Sequence, residues 1–227
     1  MGRGDTVPPV HVVSVVSLKG GVGKSTVALT IATTLHRAGH RVLVVDADSG
    51  QGSCVEWARI GAEAGHEGPP VIALEGARLR RDLARLAAGH ELVVVDGPPR
   101  LDADARAALL VADLALVPVT PGAFDVLSLR RTLALLEAAT EARPRLRGAL
   151  VVNRHDARQT LSSAMRASIA GLGVPILAAA LSARVAFGEA NAAGLGVVDY
   201  APGSPAALEA EALVREVVER LGRKGRR

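Results

Sequence analysis

Seven short apolar runs punctuate the chain, and most give way to longer stretches in which apolar positions recur every three or four residues. The runs are His11–Ser17, Arg41–Asp46, Pro70–Leu74, Glu91–Asp96, Asp113–Pro118, Gly148–Val152 and Val174–Ala179. Several (VLVVD, LVVVD, LALVPV, ALVVN) are nearly continuous in Val, Leu and Ala, the pattern of strands covered on both faces. The longer stretches predict helices over Ser25–Ala38, Gly76–Ala88, Asp102–Val111, Val126–Ala142 and Ala157–Ala170. A last helix, near Pro205–Leu221, places Leu208, Ala212, Val217 and Leu221 toward one face. Strands alternating with helices imply an α/β fold: a doubly wound, mostly parallel sheet with helices on both faces. With no internal repeat and no dividing linker, a single domain is expected over residues 1–227, frayed at 1–9 and 222–227.

Composition narrows the class. In 227 residues, 49% are hydrophobic and 22% charged, enough to bury a sizeable core. No apolar run approaches the ~20 residues that span a bilayer, and the first ten residues lack a signal-peptide core, so a cytoplasmic protein is expected. Cys54 is the only cysteine, which excludes an internal disulfide, a paired-cysteine metal site and an iron–sulfur ligand set. The formal charge of +4 points mildly to an anionic partner. Of 27 cations only Lys19, Lys24 and Lys224 are lysines, and two of these share one glycine-rich loop. That placement calls for a compact point charge on a thin stem rather than a planar fork.

The loop is LKGGVGKST, between strand HVVSVVS and helix VALTIATTLHRAG. Gly20, Gly21, Val22 and Gly23 let backbone N–H groups converge on an anion at the start of a helix, continuing through Lys24, Ser25 and Thr26. Lys24 is placed to reach the β- and γ-phosphates and Ser25 to take a position on Mg²⁺. Leu18 stands where the common phosphate-loop pattern has glycine, and Lys19 is an additional cation at the loop mouth. Two later strands end in acids, where open α/β sheets build their sites: Asp46 and Asp48 in VLVVDADSGQGS, Asp96 in ELVVVDGPP. A strand-end carboxylate beside such a loop can hold Mg²⁺, and Asp48 can orient an attacking water.

KGGVGKST, DADSGQGS, DGPP and DLALVPVTPGAFDVLSL together resemble the ParA/MinD group of deviant P-loop ATPases, within it the short ParA-type partition ATPases that lack an N-terminal helix-turn-helix. The resemblance runs from about His11 to Leu221. It implies that Lys19 crosses an ATP-sandwiched dimer interface, that Lys24 and Ser25 hold phosphate and Mg²⁺, and that Asp48 is the acid needed for hydrolysis. Asp46 and Asp96 match acids around the metal, Asn153 an adenine contact, and the segment from Tyr200 that includes Pro202 a loop closing over the base. Arg184 falls where relatives carry a DNA-binding cation. One departure is that DADSGQG has Ser49-Gly50 where the family has one proline, making the motif one residue longer.

The implied activity is hydrolysis of ATP to ADP by a homodimer that binds DNA without sequence preference while holding ATP. A centromere-binding adaptor would stimulate turnover, and the cycle would segregate a plasmid or chromosome. The alternative is a relative that positions another cargo, a membrane-associated or protein assembly, by the same cycle. Membrane docking is not expected, because residues 208–221 carry four glutamates and no aromatic. A small-molecule ligase or kinase on the same loop is the other enzymatic reading. Arg78, Arg80, Arg81 and Arg85 on one helix are either a DNA face or, the preferred reading, a solvated one. Arg184 could equally be a surface arginine paired with an acid such as Glu189. The six histidines lack metal-ligand spacing, and Trp57 and Phe124 read as packing residues.

Overall fold

The computed structural model describes residues 10–48, 50–74, 76–99, 103–120, 126–156 and 171–222. All seven strands belong to one sheet: β1 His11–Val15, β2 Val42–Asp46, β3 Val71–Ala73, β4 Leu92–Asp96, β5 Leu114–Val119, β6 Arg147–His155 and β7 Ile176–Ser182. Their order is β3-β2-β4-β1-β5-β6-β7, and every pairing is parallel. The chain passes from β1 to β2 and β3 at one edge, returns to β4 beside β1, and then runs out through β5, β6 and β7, so the carboxyl end of β1 is the switch point where such sheets open a crevice. The doubly wound α/β architecture expected from the apolar runs is therefore present.

Eight helices are described: α1 Lys24–Arg37, α2 Ser53–Glu63, α3 Gly76–Leu86, α4 Ala103–Val111, α5 Val126–Ala142, α6 Val185–Ala192, α7 Val197–Tyr200 and α8 Pro205–Gly222. They form two layers. One core joins α1, α2, α6, α7 and α8 to one face of the sheet; the other joins α3, α4 and α5 to the opposite face. The helix expected over Ala157–Ala170, like Phe124, lies outside the described residues. Strand β6 runs longer than its apolar run, because Arg147 and Asn153–His155 are polar residues that still pair.

Helix α2 was not evident from periodicity. Only Cys54, Trp57 and Gly61 are buried along it, and its N-cap, Gly52, is left-handed and offers no side-chain cap. Its amides are satisfied from elsewhere, as described below. Its far end packs tightly: the indole Nε1 of Trp57 donates to Leu195 O, and a Cβ on Gly61 would lie 2.7 Å from Gly194 O.

Strand β7 forms one edge of the sheet, and α8 covers it. The carboxylate of Glu209 accepts from Ser182 N at 2.8 Å and from its hydroxyl, and Glu216 accepts from Ala179 N at 3.0 Å. Arg147, on β6, donates to Arg220 O and Leu221 O at the end of α8, where a cation complements the helix dipole. Glu209→Ala, which strands Ser182 N and the Arg184 guanidinium together, is expected to lose about 1–3 kcal/mol in urea unfolding. Glu209→Gln, which keeps an acceptor, should lose less; equal losses would show that the hydrogen bonds to β7 do not matter.

Candidate functional site

The loop after β1 is held open by backbone geometry and bracing. Gly21 and Gly23 have φ of 75° and 84°, a left-handed conformation that suits glycine, and α1 begins at Lys24. Leu18 N donates to the Thr132 hydroxyl on α5, and Lys19 N to the Ser17 hydroxyl. Lys24 is buried. Burial pulls its ammonium below the usual lysine value, and the nearby carboxylates of Asp96 and Asp48 hold the proton against that pull.

The three acids come together but differ in environment. Asp46 and Asp96 are register partners on β2 and β4, and both are buried. Asp46 spends its carboxylate on backbone: Oδ2 accepts from Cys54 N at 2.8 Å and Val55 N at 3.1 Å, Oδ1 from Asp48 N at 3.1 Å. It thus serves as the missing cap of α2 from eight residues upstream. Both oxygens of Asp46 thus accept hydrogen bonds from backbone amides. Asp96 is different. Its Oδ1 has no hydrogen-bond partner among the described residues, and its Oδ2 accepts from the Cys54 thiol at 3.4 Å. Burial pushes its carboxyl up to about 6; the Asp46 charge adds to this, while Ser25, Cys54 and Lys24 oppose it.

A buried, partly unsatisfied carboxylate beside the Ser25 hydroxyl at the head of a phosphate loop fits a hard divalent cation. Ser25 and Asp96 would hold Mg²⁺ there. Asp48 is half-buried and sits in a tight turn, its Oδ1 accepting from Gly50 N and its carbonyl from Gly52 N. The longer DADSGQG motif is accommodated by that turn, which Gly52 closes with a φ of 55°.

Beyond the loop a cleft of about 450 Å³ opens between Thr26, the end of β6 and the start of α6, with Arg184, Phe187 and Glu189 on its far wall. Asn153 borders it but is buried, and its amide is committed: Nδ2 donates to Val22 O at 2.7 Å and Oδ1 accepts from Arg154 N. It braces the loop from behind, in contact so close that a Cβ on Gly23 would lie 2.2 Å from Nδ2. In this geometry Asn153 supports the loop. Pro202 is exposed and lies outside the cleft; from that segment Tyr200 reaches toward it, through a 3.3 Å hydrogen bond to Glu189.

Arg184 is not a free cation. Its Nε and guanidinium donate to Glu209 Oε1 at 2.9 and 2.8 Å, so the partner is Glu209 rather than Glu189. Sequence reasoning missed Arg154. It has a φ of 56°, rare for a non-glycine residue, and its guanidinium donates to Gly21 O at 2.9 Å across the cleft mouth. Its only signal in the sequence is a position next to Asn153.

Residues 13–197 match the CobQ/CobB/MinD/ParA nucleotide-binding domain, and the chain belongs to that family. It is 33% identical over 207 residues to a maintenance of carboxysome distribution protein A from Halothiobacillus neapolitanus, covering 90% of this chain and 95% of that one. It is 30% identical over 240 residues to the chromosome-partitioning ATPase Soj of Thermus thermophilus, covering 92% and 96%. Among solved structures, the septum site-determining protein MinD of Pyrococcus horikoshii, complexed with Mg-ADP, superposes with a TM-score of 0.73 at 22% identity, covering 94% and 98%.

The raised Asp96 pKa gives a pH test. An acid whose pKa rises on folding, here from 3.8 to about 6, favours the folded state fully below pH 3.8 and loses that advantage as pH rises through 6. Without nucleotide, Asp96→Asn is therefore expected to exceed wild type in stability by about 2–3 kcal/mol at pH 7.5. The gain should fade toward pH 4.5 in urea titrations. A difference that does not change with pH would mean that Asp96 is ionised at little cost.

Proposed function

We propose that this member of the ParA/MinD family is an ATP-hydrolysing positioning protein, which pairs with a second copy around ATP and distributes a protein assembly using DNA as its scaffold. The observation that carries the ATPase reading is the division between two neighbouring acids. Asp46 is consumed by backbone amides, while Asp96, beside Lys24 and Ser25, keeps an oxygen without a partner. The similarity to a carboxysome-distribution protein supports a protein assembly as cargo rather than a plasmid or chromosome, the reading first suggested by the motifs. The likeness to Soj keeps partitioning as the second reading.

In the reaction, the N–H groups of the loop and the buried Lys24 ammonium surround the β- and γ-phosphates in a site with little water to screen them. Mg²⁺, which Ser25 and Asp96 would hold, would supply further neutralisation of phosphate charge. Asp48, its backbone fixed by the turn to Gly52, orients the water that attacks the γ-phosphorus and accepts hydrogen bonding from it. Lys19, at the loop mouth, reaches toward the second copy's nucleotide. Three exposed apolar side chains support pairing through this face: Val55, Leu127 and Val185 open α2, α5 and α6, each just past the carboxyl edge of the sheet. Two-fold exchange of Lys19 makes the dimer isologous.

Three variants test this. Lys24→Ala is expected to weaken ATP binding by tenfold or more, the loss of a charge-assisted contact worth about 1.5–3 kcal/mol. Asp48→Ala should bind ATP near wild-type affinity but hydrolyse it ~10²–10⁴ times more slowly, and should accumulate as a dimer in gel filtration. Lys19→Ala should bind nucleotide as a monomer. Wild-type turnover in Asp48→Ala would remove that acid from the mechanism. To separate the cargoes, deletion of the gene should cluster a protein assembly while leaving plasmid inheritance intact; the reverse would favour partitioning.

A further inference from the structure

The two helix layers carry opposite charge. Helices α3, α4 and α5 bear seven arginines against four carboxylates. Helices α1, α2, α6, α7 and α8 bear eight carboxylates against four arginines, apart from Lys24 in the site. The pairing is as uneven as the totals. On the acidic side Arg37 is bound to Asp199, Arg59 to Glu56 and Glu63, and Arg220 to Glu216, while Arg184 nearby is bound to Glu209. On the basic side all seven arginines are exposed, and among the described residues only Arg81 forms an ion pair, with Asp82. Cations gathered on one face create a field that attracts an anionic partner.

We propose that the face of α3, α4 and α5 is where this protein holds duplex DNA, through phosphate contacts by Arg80, Arg85, Arg106, Arg130 and Arg131, and that Arg184 takes no part. This rests on DNA being the scaffold in the function proposed above, and it moves the contact from Arg184 to the opposite side of the sheet. Two features of the face select the partner, and its arginines, like most cations of this chain, carry planar forks that fit phosphate oxygens. The three helices pack side by side, α3 on α4 and α4 on α5, spanning two interaxial spacings of about 8–10 Å each. A duplex presents one phosphate charge per ~1.7 Å, so that width faces on the order of ten charges. Finally, Leu127 at the start of α5 is the one exposed large apolar side chain among the described residues of these helices. A membrane-docking face needs a row of them. No aromatic side chain on these helices offers a stacking platform, so contact is to backbone and is indifferent to sequence.

The test is a salt titration of binding to a duplex of arbitrary sequence, with ATP present, for the full chain. Wild type is compared with Arg80→Ala/Arg85→Ala/Arg106→Ala, with Arg130→Ala/Arg131→Ala on a separate helix, and with Arg184→Ala. The slope of log affinity against log salt is expected to fall by roughly 0.9 for each contact removed, about 2–3 in the triple variant and 1–2 in the double. Affinity at physiological salt should drop at least tenfold in the triple, while ATP turnover without DNA stays at the wild-type rate in both. Arg184→Ala should bind as wild type does. If wild type binds the duplex and both arginine variants match it, or if Arg184→Ala alone loses binding, the proposed face is wrong and the function above stands. If wild type hydrolyses ATP but binds no duplex, and instead binds vesicles of phosphatidylglycerol, DNA is not the scaffold and both fail.

Discussion

Two carboxylates side by side in a buried setting govern the carboxyl edge of this sheet. Asp46 and Asp96 end adjacent strands at paired positions, and neither can be left as a bare charge. The chain resolves the two differently. The Asp46 carboxylate is hydrogen-bonded by amides of α2 and by Asp48 N, which turns a strand end into a helix cap and fixes the turn that carries Asp48. Asp96 is left poorly satisfied, so its ionised form is costly. One acid stabilises the fold, and the charge of the other works against it.

The phosphate loop rests on similar reciprocity. Gly23 turns left-handed and leaves no room for a side chain, because the Asn153 amide occupies that space to hold Val22 O. Arg154, forced left-handed at the next position, ties down Gly21 O from the other side. The loop is therefore shaped by the end of β6, more than a hundred residues away in sequence, as much as by its own glycines.

The sheet was legible because its strands are nearly unbroken apolar runs, and burial on both faces leaves such runs no other use. The phosphate loop was legible because LKGGVGKST carries strand, turn and helix signals in order. Helix α2 was not, since its cap is a residue on a strand and its buried positions include a glycine. The backbone hydrogen bonds of Asp46 and Asn153 were hidden for a related reason: their partners are set by the fold and leave no mark in the local pattern. The Arg184–Glu209 pair joins residues 25 apart on different elements, a contact no local pattern announces.

Open sheets risk recruiting further strands, since an edge offers unpaired amides to any extended chain nearby. Here β3 offers only three residues at one edge. At the other, β7 has given Ala179 N and Ser182 N to glutamates of its own covering helix. Burial works to raise the Glu209 carboxyl, but Arg184 and Ser182 outweigh it and hold its pKa below the ordinary glutamate value. The carboxylate therefore stays charged, and the edge stays closed, into moderately acidic solution. Neither edge of the sheet is thereby left as a long open template for another chain.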